Sequence, residues 1–275
     1  MANNELDNHD IYGYYTCPKC GRQLADYLGN CLRCGRSEEG EKYIEDIRAE
    51  QALKMLKNVD FRDYKDFLGK KCVLTVTDPP YNIGYKYGEH KDNMTPKKYI
   101  NFLSKIPKPC VIIHYPEETI RYVFPALGMP EKVMFWCYHS HTPRAVRMIS
   151  FIGIKPDLSK YKIPYRNTDD KRIKKMISQN KKTGIKEWFL VEQVKNISKE
   201  YQGYANQIPE KVIDIILKVC QGQFGSVYDP FCGSGTTLKV AFENKYWVFG
   251  CDIDPKAIEL SKNRLKKLIE QKTLI

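Results

Sequence analysis

The chain has 275 residues, 42% of them hydrophobic, which is enough for one large domain or a medium domain with an appendage and excludes wholesale disorder. No apolar run approaches the ~18–20 residues that cross a bilayer, and MANNELDNHD lacks the basic-then-apolar pattern of a secretory leader, so the sequence reads as cytoplasmic with no membrane partner. A net charge of +12 points to a polyanionic partner, nucleic acid before membrane, against the plainer reading of lysine-driven solubility.

Residues 1–37 read as a zinc-ribbon-like module. CPKCGRQLADYLGNCLRCG holds two C-x-x-C pairs, Cys17 with Cys20 and Cys31 with Cys34, ten residues apart and each followed by glycine. Four thiolates converging from two tight knuckles suit one structural zinc, with iron as the competitor. The other six cysteines lie mostly in or beside apolar segments and read as free thiols of a reducing compartment.

Residues 38–55 read as a linker helix with acids in its first turns and an apolar face of Ile44, Ile47 and Leu53. From residue 56 to 275, β-rich runs alternate with amphipathic ones. LKNVDF, CVLTVT, CVIIHY, VMFWCY, MISFIGIK, SVYDP and YWVFGCDID read as strands. YKDFLG, TPKKYINFLSKI, EETIRYVFPAL, PEKVIDIILKVC, TTLKVAFEN and the closing PKAIELSKNRLKKLIEQ read as helices. The alternation predicts an α/β fold, a doubly wound, mostly parallel, Rossmann-like sheet with a terminal hairpin. In such sheets ligands bind at the carboxyl ends of strands, where Asp78, Asp229 and Asp252 are predicted to share one rim.

TVTDPPYNIGY, residues 75–85, ends a strand with an acid, forbids regular structure at Pro79 and Pro80, and then presents Tyr81. Downstream, His139 and His141 lack a third ligand and read as loop residues, while Arg144 and Arg147 suit contact with a nucleic-acid backbone. Residues 155–205 form a basic insertion with interleaved aromatics. TDDKRIKKMISQNKK reads as a helix capped by Thr168 and carrying Lys171, Arg172, Lys174 and Lys175 for phosphate contact; a solvated basic face is the alternative.

VYDPFCGSGTT, residues 227–237, is a strand, a glycine-rich turn and a helix start. Gly233 and Gly235 let backbone amides approach a ligand, and Thr236 or Thr237 caps the helix. The next strand ends in Asp252 about 20 residues on, placed for the ribose hydroxyls of an adenosine. No Gly-Lys-Ser/Thr follows, so an adenosine-type cofactor fits better than a nucleoside triphosphate. Cys232 lies within this loop and reads as structural.

DPPYNIG followed by DPFCGSGTT resembles the amino-methyltransferases of DNA. The motif order resembles their circularly permuted β group, which acts on adenine N6 or cytosine N4. The resemblance covers about residues 56–270 and leaves out the cysteine module. It implies S-adenosylmethionine as cofactor, with Asp229, Phe231, Cys232, Gly233, Ser234, Gly235, Thr236 and Thr237 around it and Asp252 on its ribose. NVDFRD adds Asp60, and YANQIPEKVIDII, a variant of the family's segment, adds Gln207. Asp78 and the Pro79 carbonyl would then accept the two amine hydrogens, Pro79 and Pro80 would hold these acceptors rigid, and Tyr81 would stack on the flipped base. Asp78 at the head of the motif leans toward adenine. The insertion takes the place of target recognition on double-stranded DNA. A homodimer and a cognate restriction endonuclease are the family's further partners. An RNA base methyltransferase and a non-catalytic zinc-ribbon binder remain alternative readings.

Overall fold

The computed structural model describes residues 30–31, 35–36, 38–66, 73–84, 86–87, 90–140, 143–165, 168–204 and 206–273. Eight strands make the main sheet: β1 Leu56–Asn58, β2 Val73–Thr77, β3 Cys110–His114, β4 Lys132–Cys137, β5 Val146–Ile152, β6 Trp188–Leu190, β7 Ser226–Asp229 and β8 Trp247–Asp252. Their order is β6-β4-β5-β3-β2-β7-β8-β1. β5 runs antiparallel to both neighbours, β3 and β4, and every other pairing is parallel.

The sheet is covered on both faces, which is why its strands read as continuous apolar runs. All of β3 is buried, and its alternate residues serve two cores. Val111 and Ile113 join one with Leu74, Val76 and Leu238, while Cys110 and Ile112 join the other with Tyr99, Leu103 and Phe249. The helices are α1 Glu38–Lys54, α2 Pro96–Leu103, α3, α4 Lys171–Ser178, α5 Glu210–Val219, α6 Thr236–Glu243 and α7 Pro255–Thr273. α3 combines Pro116–Glu118, a π-helical turn at Thr119–Val123, and Phe124–Leu127. α1 is bolted to the sheet domain by buried Arg48, whose Nη2 donates to the Phe242 carbonyl at 2.7 Å beneath a cation–π contact with the Phe242 ring.

Three sequence expectations need correction. The predicted hairpin, β4–β5, is not terminal, because β6 from the insertion pairs with β4 and becomes the edge. Three residues with only Phe189 buried give too short an alternation to be read as a strand in sequence. The cap of α4 is Asp170, not Thr168, since its carboxylate accepts from the amides of Arg172 and Ile173. Residues 64–66 of YKDFLG are not helical, and residues 67–70 lie outside the described residues. So do Cys17, Cys20 and Cys34 of the zinc expectation. The backbone of Cys31 belongs to a short antiparallel ribbon, Asn30–Cys31 with Gly35–Arg36.

Candidate active site at the carboxyl rim of the sheet

Four neighbouring parallel strands each lead to an acid at the same rim. Asp229 closes β7 and Asp252 closes β8, while Asp78 directly follows β2 and Asp60 lies two residues beyond β1. At a spacing of ~4.8 Å per strand the rim spans roughly 14 Å from Asp60 to Asp78. β7 lies between β2 and β8, where the winding reverses, so the crevice of a doubly wound sheet opens at this rim. A cavity of about 430 Å³ occupies it and is lined by all four acids, the residues 230–234 turn, and the apolar side chains of Phe61, Met94 and Phe102. That volume falls within the range of small-molecule sites.

The turn after β7 is shaped by close approach. Gly235 has φ +76°, and a Cβ there would lie 2.7 Å from Ser261 Oγ and 2.9 Å from Ser261 Cα. Gly233 also has positive φ, and its amide donates to Asp252 Oδ2 at 3.0 Å. The other oxygen, Oδ1, accepts from the Asp254 amide at 2.9 Å. Asp229 Oδ1 accepts from Thr77 Oγ1 at 2.7 Å and from the Phe231 amide at 3.1 Å, tying β2 to the turn. Cys232 is buried, which pushes its thiol well above the usual range and leaves it unreactive.

The acids differ in charge state. Burial pushes Asp78 up to about 7, against the pull of Arg147, and pushes Asp229 up to about 6, against the hydrogen bonds it accepts. Burial also raises Asp252. Asp60 is lowered by Arg62, which grips both carboxylate oxygens at 2.8 and 2.6 Å. The rim thus holds one carboxylate already paired with a guanidinium and three that desolvation makes hold their protons more tightly.

The loop after β2 is held by a relay. The Tyr115 amide donates to His114 Nδ1 at 2.9 Å, which leaves the proton on Nε2 and pairs it with Tyr99 Oη at 2.9 Å. Tyr99 Oη in turn donates to the Pro80 carbonyl at 2.5 Å. Burial lowers His114 to about 3, so the relay stays neutral. Beyond Tyr81, Asn82 clasps the Met94 backbone with both ends of its amide, at 2.9 and 2.6 Å, and draws that segment to the cavity mouth.

A family model described as DNA methylase, covering the N6 and N4 methyltransferases, matches residues 111–263, more than half of the chain. The chain belongs to this DNA methylase family. It is 24% identical over 235 residues to the type II methyltransferase M.HpaI of Haemophilus parainfluenzae, covering 78% of this chain and 72% of that protein. Its fold is similar to that of a cytosine-N4-specific PvuII DNA methyltransferase, with a TM-score of 0.53 at 13% identity over 78% of this chain and 91% of the other. The match confirms the α/β sheet as a methyltransferase fold.

In this DNA methylase the residues named from sequence fall into three groups, apart from the four cysteines and from Pro79 and Gly235, which are not among the residues that line the cavity. Asp60, Asp78, Pro80, Gln207, Asp229, Phe231, Cys232, Gly233, Ser234, Thr236, Thr237 and Asp252 all line the one cavity. Within it, Gln207 spends its amide on the backbone, accepting from the Gln202 amide at 3.0 Å and donating to the Glu200 carbonyl at 2.8 Å. A second group lies under the loop after β2. Tyr81 is only 5% exposed, packed on His114 and Tyr115, so it presents no open stacking face. Arg147 was expected at a DNA backbone, but it is 4% exposed and points into an aromatic cage from β5. The cage is the reason: its rings come from three separate segments, at Tyr81, at Tyr115 and at Trp136 with Tyr138, and leave no local pattern around Arg147. Arg144 stays half-exposed, paired with Glu118 at 3.0 Å and stacked over Tyr115. The third group, Lys171, Arg172, Lys174 and Lys175, is exposed on α4 and lies outside the cavity lining. Arg62, Met94, Phe102 and Tyr204, which also line the cavity, come from separate segments without a shared sequence motif.

Among the described residues no group of histidine, cysteine and acidic side chains could hold a metal, and no helix is long and apolar enough to cross a membrane.

Proposed function

We propose that this DNA methylase transfers a methyl group from S-adenosylmethionine to the exocyclic amine of adenine, N6, in a short specific sequence of double-stranded DNA. One observation carries the reading: Asp78, with Oδ1 buried and lacking a hydrogen-bond partner, opens into the cavity that also holds Asp252 and the glycine-rich turn. The residues suit the cofactor, because the acidic rim favours a sulfonium cation and the turn at Gly233 admits close backbone approach. Asp252 and the turn would hold its adenosine portion. When bound, S-adenosylmethionine supplies an electrophilic methyl at the sulfonium.

The chain's own residues do the rest. An exocyclic amine is a weak nucleophile because its lone pair is delocalised into the ring. Asp78 and the Pro79 carbonyl accept its two hydrogens, which favours a pyramidal nitrogen with the lone pair turned toward the methyl. Pro79 is buried, and the Tyr99–Pro80 hydrogen bond fixes the following peptide, so these acceptors need no conformational search. The amine proton is then lost to Asp78, whose affinity for a proton near neutral pH suits that task. The target base must leave the duplex to reach a site of this depth. Tyr81 supports the loop from beneath, and the exposed cations of α4 hold phosphates. Cys17, Cys20, Cys31 and Cys34 bind one structural zinc in this reading, supported by their paired spacing.

The deciding experiment is methyl transfer from labelled S-adenosylmethionine to unmethylated duplex DNA, with structured RNA in parallel and nucleoside analysis of the product. N6-methyladenine in DNA is the expected result. N4-methylcytosine would change the base and leave the mechanism standing, whereas label in RNA alone would overturn the DNA reading.

A further inference from the structure

Two buried polar atoms without hydrogen-bond partners, Asp78 Oδ1 and Arg147 Nη1, belong to one cluster at the loop after β2, where the Tyr81 hydroxyl bears on the Asp78 carboxyl. Orphaned buried polar atoms are uncommon, and two in one cluster call for a shared cause. Arg147 is the hub. Its guanidinium carbon lies 4.0 Å from the Tyr115 ring centroid and 4.6 Å from that of Tyr81, with Trp136 and Tyr138 further out. Its Nε donates to Tyr138 Oη at 3.2 Å. No carboxylate oxygen lies within salt-bridge distance among the described residues, so a desolvated positive charge is held by ring faces and the Tyr138 hydroxyl, with the Asp78 carboxylate further off.

A fold keeps a buried, unpaired arginine only where something offsets the cost of desolvation. The ring faces offset part of it, and the nearby Asp78 carboxylate is the one acid whose charge state Arg147 raises in return. We propose that Arg147 is a positioning residue of the catalytic loop: its caged guanidinium keeps Asp78 a charged hydrogen-bond acceptor and fixes the Tyr81 ring beneath it. Tyr81, Tyr115 and Asp229 are the other titratable groups that face Asp78. Tyr81 and Tyr115 are neutral in the working range and Asp229 opposes the charge on Asp78, so Arg147 is the one full charge that favours it, with a hydrogen bond from the Tyr81 hydroxyl as the lesser support. Without Arg147, Asp78 would hold its proton to a higher pH, and a larger share of the protein near neutrality would offer an amine one acceptor fewer.

This inference rests on the assignment of Asp78 to methyl transfer, but it is testable without that reaction. Carboxyl carbon NMR of aspartate-labelled, cofactor-free protein, with the Asp78 signal assigned by its loss in Asp78→Asn, gives the titration midpoint directly. Arg147→Met should move that midpoint up by about 1 pH unit or more, and Arg147→Lys should keep it near the wild-type value. Arg147→Gln, which retains a donor for Tyr138 but no charge, should match the methionine variant and serves in its place if that variant does not fold. In the transfer assay, the acid limb of kcat/KM should move with the NMR midpoint. An unchanged Asp78 midpoint in a folded, uncharged variant would overturn the proposal. Loss of methyl transfer in the wild-type protein would overturn the function while leaving the titration to decide the role of Arg147.

Discussion

Asp78→Asn should cost activity and yield stability, and the yield should depend on pH. In the folded chain burial holds the Asp78 carboxyl at about 7, whereas an unfolded aspartate titrates near 3.8. A carboxyl raised in this way stabilises the fold fully below about 3.8 and loses that contribution as pH rises through about 7. A gap of about three pK units at ~1.4 kcal/mol each places the full loss near 4 kcal/mol. Asn mimics the protonated carboxyl in shape and never ionises. Its advantage over the wild type should therefore grow by about 2–3 kcal/mol between pH 5 and pH 8, because by pH 5 part of the loss has already accrued. Asp252 is common to both proteins and cancels, while Asp229, which repels the Asp78 charge, is relieved in the variant and adds to the gap in the same direction. Urea unfolding of the cofactor-free proteins at a series of pH values reads the difference. A stability gap equal at pH 5 and pH 8 would refute the buried-carboxyl reasoning, and retained methyl transfer by Asp78→Asn would refute the catalytic assignment.

Gly235→Ala should destabilise the fold by about 2–4 kcal/mol, from a left-handed φ plus overlap with Ser261. A second change, Ser261→Ala, should not restore it, because the Ser261 Cα itself lies in the way; denaturant unfolding of the two variants checks this. Neutralising Lys171, Arg172, Lys174 and Lys175 together should weaken DNA binding and flatten the dependence of log affinity on log salt by up to about four counterions. An unchanged slope in a filter-binding titration would remove α4 from the DNA contact. Cys17→Ser with Cys20→Ser should lower the metal content by about one zinc per chain, measured by elemental analysis of the purified protein.

The rim was legible in sequence because it is written in local punctuation. β2 and β7 each run apolar into Asp-Pro, and β8 runs apolar into Asp-Ile-Asp, so strand, stop and acid fall within a few residues. The glycine turn was legible for a similar reason, since Gly235 answers a demand of its own backbone as well as the proximity of Ser261. What escaped was everything assembled from distant segments. β6 pairs with β4 across some 50 residues, and three residues alone cannot reveal an edge. Arg147 reads as a surface cation beside Arg144, because neighbouring sequence carries no trace of Tyr81, Tyr115 and Trp136 closing around it. Tyr81 reads as an open ring for the same reason. Periodicity tells which face of a strand is buried, but not which polar side chain the tertiary fold finds a use for in the interior.

The placement of DPPY and the glycine-rich turn also explains why their order along the chain is immaterial to the site. β2 and β7 are hydrogen-bonded neighbours, in register from Val73 with Ser226 to Thr75 with Tyr228, although some 150 residues separate them. Thr77 and Asp229 then fasten the two strand ends to each other. A rim fixed by a parallel ladder and one buried side-chain hydrogen bond is set by which strands are adjacent, not by which is made first. Cutting Thr77 out of that pair, as in Thr77→Val, should loosen the register between Asp78 and the glycine-rich turn without touching either. Asp229 would lose the hydrogen bond from Thr77 and keep those from Thr237 and the Phe231 amide, so its affinity for a proton should rise further. Cofactor binding measured by calorimetry should weaken by up to about 10–150-fold, in line with about 1.5–3 kcal/mol for a buried hydrogen bond to a charged group. Wild-type affinity in Thr77→Val would show that the ladder alone holds the rim.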